Sequence, residues 1–168
     1  MKKFLITAAV VFAAAPAFAQ TILPNPTAAE AGAPRPVRQR GIPAALAVEA
    51  VETANATCKA NGNKTTTVVI DSEGVPIAMV SDDGAAAITQ RIAMGKAMIS
   101  LKTKGASADG AKADAAVMAP LGAARPGGFP LLAGADLVGA IAVSGSPSGG
   151  ADEVCAKAAI AKIGDRIK

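Results

Sequence analysis

Apolar residues recur along this chain in two rhythms, one helical and one alternating, and their order predicts the elements. From Ile42 onward, Ala47, Ala50, Val51, Ala54 and Cys58 fall on one side of a helix. It starts near Pro43 and stops at Asn61-Gly62, where glycine supplies the left-handed C-terminal position. Residues 65–71, TTTVVID, are β-branched and strand-like, Asp71-Ser72-Glu73-Gly74 reads as a turn, and residues 75–80, VPIAMV, form the returning strand. After an exit loop at Asp82-Asp83-Gly84, Ile88, Ile92, Gly95 and Ile99 recur at helical spacing through Lys104, with Met94, Met98 and Leu101 on a second face. Residues 107–119 form a weaker helical segment, interrupted by Gly110 and ended before Pro120, and 121–128 are a Gly/Pro loop. Residues 129–132 and 137–144 make a second hairpin about Gly134-Ala135-Asp136. Residues 144–150 break the strand pattern, and from Ala151 an Ala-rich helix carries Ala156, Ile160, Ile163 and Ile167 on one side. Two hairpins among helices predict an α/β sandwich with a central antiparallel sheet flanked by helices, since no strand-helix-strand alternation demands a parallel one.

The first residues do not belong to this pattern. Lys2 and Lys3, an apolar stretch over 4–15, Pro16 and Ala17-Phe18-Ala19 before Gln20 read as a secretory signal peptide over 1–19 with an A-x-A cleavage site. The apolar stretch is too short to span a membrane. Residues 20–41 hold Pro24, Pro26, Pro34 and Pro36 with Arg35, Arg38 and Arg40 and no apolar period, and read as an extended, disordered arm; the domain is 42–168. Cleavage drops Lys2 and Lys3 from the 17 basic residues and none of the 13 acidic, so a net charge of +4 falls to +2. The basic balance is partly the leader's. With no basic stripe and no interleaved aromatics, nucleic acid is not an expected partner. Phe129 is the one aromatic residue after the cleavage point, so the core must be built from Ala, Val, Ile, Leu and Met. Such Ala-rich helices approach a sheet closely.

Export gives the two cysteines a meaning. Cys58 lies on the apolar side of the first helix and Cys155 opens the last; if those helices lie side by side, a bridge would close a loop of roughly a hundred residues. Two buried free thiols are the alternative.

The absence of histidine excludes Ser-His-Asp and Cys-His nucleophile systems and histidine-ligated zinc. Asp82-Asp83 and Asp152-Glu153 lack a metal-loop pattern and read as solvated loop and helix-start residues, so neither a catalytic residue nor a metal site is expected. GSPSGG over 145–150 superficially resembles a phosphate loop, but it lacks the GK[ST] ending. Asp152 and Glu153 in the following helical turn would repel a phosphate, and helix capping is the better reading. Arg91, Met94, Lys96 and Met98 form the one cluster of cationic and soft side chains. Either it is a core stripe with its basic residues snorkelling outward, or the methionines pack on a flat apolar ligand whose carboxylates meet Arg91 or Lys96. With Gly127 and Gly128, these make the expected ligand-contacting set.

Taken together, the chain resembles the GlcG/HbpS family of haem-degrading domains, which includes the C-terminal domain of PduO-type proteins. The likeness runs from Ile42 to Ile167. It is carried by the Ala-rich opening helix, Thr67-Val68-Val69-Ile70-Asp71 with Gly74, Asp83-Gly84-Ala85, Lys96-Ala97, Gly127-Gly128-Phe129-Pro130-Leu131, VGAIAVSG over 138–145, and Asp152-Glu153-Val154-Cys155-Ala156. The resemblance implies a profilin-like sandwich, a homo-oligomer and, for some members, binding of haem or a corrinoid. Exported relatives also place one cysteine in the first helix and another after the Asp-Glu pair, which supports the bridge. Without histidine or tyrosine, an axial ligand to haem iron would have to be Met, a thiolate, a weaker oxygen donor or water.

The expected function is therefore an exported, non-enzymatic binding or accessory protein, periplasmic or secreted, for haem or another tetrapyrrole, with no membrane span in its mature form. A slow haem-degrading enzyme and a ligand-free, oligomer-forming interaction protein are the alternatives. Intact-mass measurement of the exported protein should show a chain beginning at Gln20. Retention of residues 1–19 would refute the leader.

Overall fold

The computed structural model describes residues 40–168; the leader expected over 1–19 and residues 20–39 of the expected arm lie outside the described part. Four antiparallel strands, β1 (Thr66–Asp71), β2 (Pro76–Ser81), β3 (Gly128–Ala133) and β4 (Asp136–Ser144), form one sheet in the order β2-β1-β4-β3. The two hairpins meet through their inner strands, paired from Thr66 opposite Ser144 to Asp71 opposite Gly139. Side chains alternate across these strands as the pleat requires. Val69, Ile141 and Val143 face one side, and Val68, Ile70, Ala140 and Ala142 the other.

Helices cover both faces. α1 (Ala44–Ala60) and α4 (Gly149–Ile163) pack together on the first, and α2 (Ile88–Thr103) lies on the second. The α/β sandwich with a helix-flanked antiparallel sheet is as expected. On α2, the face seated on the sheet carries Ala93, Ala97 and Leu101 with Met94 and Met98, while Ile88 is 47% exposed. The isoleucine stripe instead turns toward the 107–125 segment, with Ile88 and Ile92 beside residues 119–125 and Ile99 wholly buried against Gly110. Ala140 and Ala142 offer a shallow surface, so small residues rather than isoleucines meet it at close range. The weak helix expected over 107–119 is broken into a 3-10 turn at Ser107–Lys112, the short α3 (Ala115–Met118) and a second 3-10 turn at Ala119–Leu121. Gly110 sits where a methyl group would come within 2.5 Å of Ile99, which explains a glycine inside a helical pattern. Arg40, assigned to the arm from sequence, is tied to the domain: its carbonyl accepts from Ser72 N at 2.9 Å and its guanidinium pairs with Asp136 at 2.8 Å.

Four devices fix the helices to the sheet and to one another. Asn55, buried in α1, accepts from Thr67 Oγ1 at 2.6 Å and Thr65 Oγ1 at 3.3 Å, and donates to the Val80 carbonyl at 3.1 Å. All its bonding capacity toward the sheet is directional, so it sets where along β1 and β2 the helix sits. Cys58 and Cys155 are joined as a disulfide across α1 and α4, both wholly buried. At the far end of the same pair, Arg166 grips Glu49 through two bonds of 2.8 Å, and that contact holds the Glu49 carboxyl below its ordinary pKa.

The fourth device crosses from α2 to α4. Lys96 Nζ donates to Asp152 Oδ2 at 2.7 Å and to the Val143 carbonyl at 2.9 Å, with the two side chains only 3% and 4% exposed. Asp152 Oδ1 accepts from Ser146 N at 3.0 Å. The expectations that Lys96 snorkels outward and that Asp152 is a solvated helix-start residue are corrected here. Each is buried because the other neutralises it, and a lone charge in that place would be prohibitive.

Two stability measurements follow, both read by far-UV circular dichroism in urea since the chain has neither Trp nor Tyr. A thiol assay on the denatured, unreduced protein should find no free thiol, and Cys58→Ser with Cys155→Ser should cost about 4 to 5 kcal/mol by the chain-entropy argument. Lys96→Met should cost about 3 to 5 kcal/mol by stranding Asp152, with part regained when Asp152→Asn is added. A single-variant loss below about 1 kcal/mol would show that the carboxylate finds other solvation.

Candidate functional site

A cleft of about 410 Å³ opens between the N-terminal half of α2 and the 119–125 segment. That is within the range of small-molecule sites. Ile88, Ile92, Pro120 and Leu121 give it apolar walls, and Arg91 and Arg125 bring cationic groups to its rim. The close approach of the two walls depends on Gly95, because a Cβ there would run into the Leu121 carbonyl oxygen. The segment is held from beneath by Ser107, whose Oγ donates to the Arg125 carbonyl at 2.5 Å and accepts from Gly128 N at 2.9 Å. The backbone bearing Arg125 is thus anchored although its side chain is exposed.

A second cleft of about 200 Å³ adjoins the first, sharing Ile92 and Arg125 with it, and runs toward Ser146, Ser148 and the start of α4. Its floor includes Lys96 and Asp152. This is the place the glycine-rich 145–150 stretch would offer to an anion, and the chain's own carboxylate already fills it. Ser148 caps α4 by accepting from Ala151 N at 3.2 Å, and Asp152 in the first turn takes Ser146 N. The capping reading of that stretch is the one the geometry supports.

The six residues expected to contact a ligand are not gathered in one place. Arg91 lines the larger cleft and Lys96 the smaller, where its ammonium is committed to Asp152 and Val143. Met94 and Met98 pack into the core between α2 and the sheet. Gly127 and Gly128 are buried and line neither cleft. Their absent side chains serve packing. At Gly127, with φ of +119°, a Cβ would lie 2.8 Å from Asp152 Cβ and 2.9 Å from Lys96 Nζ; at Gly128 it would lie 2.8 Å from the Lys96 carbonyl. Ser100, whose buried Oγ has no partner among the described residues, is small enough to let Gly128 lie against α2.

The place of Arg125 at both clefts and the buried pairing of Asp152 are what sequence reasoning missed. Arg125 stands alone in a Gly/Ala/Pro loop, where no periodicity marks it, and only the fold brings it to the same cleft as Arg91. Asp152 carried a usable signal: an acid beside the glycine-rich turn and a lysine on a helix otherwise facing the sheet. Two guanidinium groups beside an apolar wall can hold a flat apolar molecule bearing carboxylates. No group of three or more His, Cys, Asp or Glu among the described residues is placed to hold a metal ion, and no described helix is long and apolar enough to cross a membrane.

The fold recurs in several solved structures. The crystal structure of HbpS superposes with a TM-score of 0.69 at 25% identity, covering 75% of this chain and 92% of that one. A double mutant of HbpS from Streptomyces reticuli gives 0.67 at 25% identity, with 84% and 99% covered. The PduO C-terminal domain, solved as a haem complex, gives 0.64 at 18% identity over 72% of this chain and 94% of that one. No curated protein sequence is significantly similar. The family model described as haem degrading protein HbpS-like matches residues 42–161, the helix-flanked sheet almost entire, and the chain therefore belongs to the HbpS-like family.

Proposed function

We propose that this chain is an exported, non-enzymatic binding or accessory protein whose ligand is haem or a related tetrapyrrole, held in the cleft between α2 and the 119–125 segment. The observation that carries the reading is the pair of arginines, Arg91 and Arg125, at the rim of an apolar-walled cleft. A tetrapyrrole presents a broad apolar plate edged by carboxylates, and the two features meet their complements there. The family description is haem-related, and a structural relative was solved with haem bound. Export is supported by the leader-like residues 1–19 and by the buried disulfide, which suits an oxidising compartment. Assembly with further copies of the chain completes the proposal; Val75, Met79 and Val80 leave apolar area exposed at the β2 edge.

Slow haem degradation is the second reading, favoured by the family's description. It requires the bound group to supply the reactivity, because the cleft lining offers neither a carboxylate nor a histidine to move a proton. Loss of haem with a defined tetrapyrrole product, abolished when the arginines are replaced, would establish it.

Titration of the purified protein with haemin should give a saturable change in the Soret band. Arg91→Ala with Arg125→Ala should weaken it about tenfold or more while leaving the urea midpoint unchanged, since both side chains are exposed. A linear, non-saturating titration would refute the proposed ligand class.

A further inference from the structure

Resting on the tetrapyrrole reading above, we infer that the cleft recognises its ligand by the peripheral carboxylates and not by the metal, so that a metal-free porphyrin dicarboxylate binds as tightly as haem. The donor set is what separates the two modes. Recognition through iron needs a side chain able to bond it, such as imidazole, phenolate, thiolate or thioether. The chain contains no histidine and no tyrosine anywhere. Its two cysteines are spent on one another, wholly buried between α1 and α4.

The methionines are placed elsewhere. Met94 and Met98 are packed between α2 and the sheet, Met118 is 8% exposed with its sulfur turned toward Gly110, and Met79 lies on the β2 edge. Met1 belongs to the leader-like segment. The one carboxylate bordering either cleft, Asp152, is held by Lys96 and Ser146 N. The larger cleft therefore offers the iron no strong ligand, since both of its polar side chains are guanidinium groups, which are hydrogen-bond donors with no acceptor lone pair. Those same groups are suited to carboxylates, forming charge-assisted and frequently two-pronged hydrogen bonds. Affinity then comes from the arginines and from apolar contact with Ile88, Ile92 and Pro120, all of which are indifferent to what occupies the centre of the ring.

Equilibrium dialysis of the mature chain against haemin, metal-free protoporphyrin IX and its dimethyl ester tests this. The first two dissociation constants should agree within about threefold, and the ester, which lacks both carboxylates, should bind about tenfold or more weakly. Imidazole added to the haemin complex should shift its Soret band without releasing the haem, because the metal's axial positions are not occupied by the chain. Haemin binding more than about thirtyfold tighter than the metal-free ring, or an ester that binds as well as the acid, overturns the inference while leaving the tetrapyrrole reading intact. Saturable binding of neither porphyrin overturns that reading itself.

Discussion

The buried pair of Lys96 and Asp152 is the constraint on which the two-cleft end of this molecule depends. A buried ammonium or carboxylate is costly alone, and the two are tolerable here because each satisfies the other and the remaining capacity goes to the Val143 carbonyl and Ser146 N. The consequence is positional more than energetic. Lys96 fixes α2 against the end of β4 and the beginning of α4, and the space it needs forces glycine at position 127. Arg91 and Ile92 lie about one turn back along α2 from Lys96, and Arg125 lies two residues before Gly127. Both walls of the larger cleft are therefore measured from the same junction, which is how exposed arginines from a helix and a loop come to face one cleft.

The remainder of the fold is built from unusually small side chains. Ala47, Ala50 and Ala54 face α4 and the sheet on one side, and Ala93, Ala97, Ala140 and Ala142 meet on the other. Small side chains bury less area per residue than aromatic ones, so the core gains less from each position and the layers must sit closer to fill space. Close layers leave little tolerance for sliding. Asn55 sets the position of α1 on the sheet through Thr65, Thr67 and Val80, and the disulfide ties α1 to α4 over a sequence separation of 97. Directional and covalent contacts supply the specificity that interlocking large side chains would otherwise provide.

Local pattern carried the elements, and tertiary encounter carried the site. The hairpins were legible because β-branched runs such as 65–71 and glycine turns act within a few residues. The cysteine bridge was legible because Cys58 fell on the apolar side of the first helix and Cys155 in the last, in a chain that reads as exported. The isoleucine stripe of α2 misled because the helix carries two apolar faces, one of isoleucines and one of Ala, Met and Leu, and periodicity alone cannot say which of them meets the sheet. The Lys96–Asp152 pair spans 56 residues and joins two types that ordinarily stay in water, so no local rule would bury them. Arg125 was invisible for a related reason: a loop residue acquires a role only from what the fold sets opposite it.

These features assign chemistry and recognition to different partners. The polar groups with the best-defined geometry, Lys96, Asp152, Ser146 and Ser107, are all engaged with the chain itself. What faces the larger cleft is apolar surface and two cations. An arrangement of this kind can select a ligand by shape and charge, orient it and shield one side of it from water. Under the proposed reading, any reaction in the complex would draw its reactive atoms from the ligand and from solvent. A change in the bound ring would then alter what the complex can do without any change in the protein, and a change at Arg91 or Arg125 would alter only whether the ring is held.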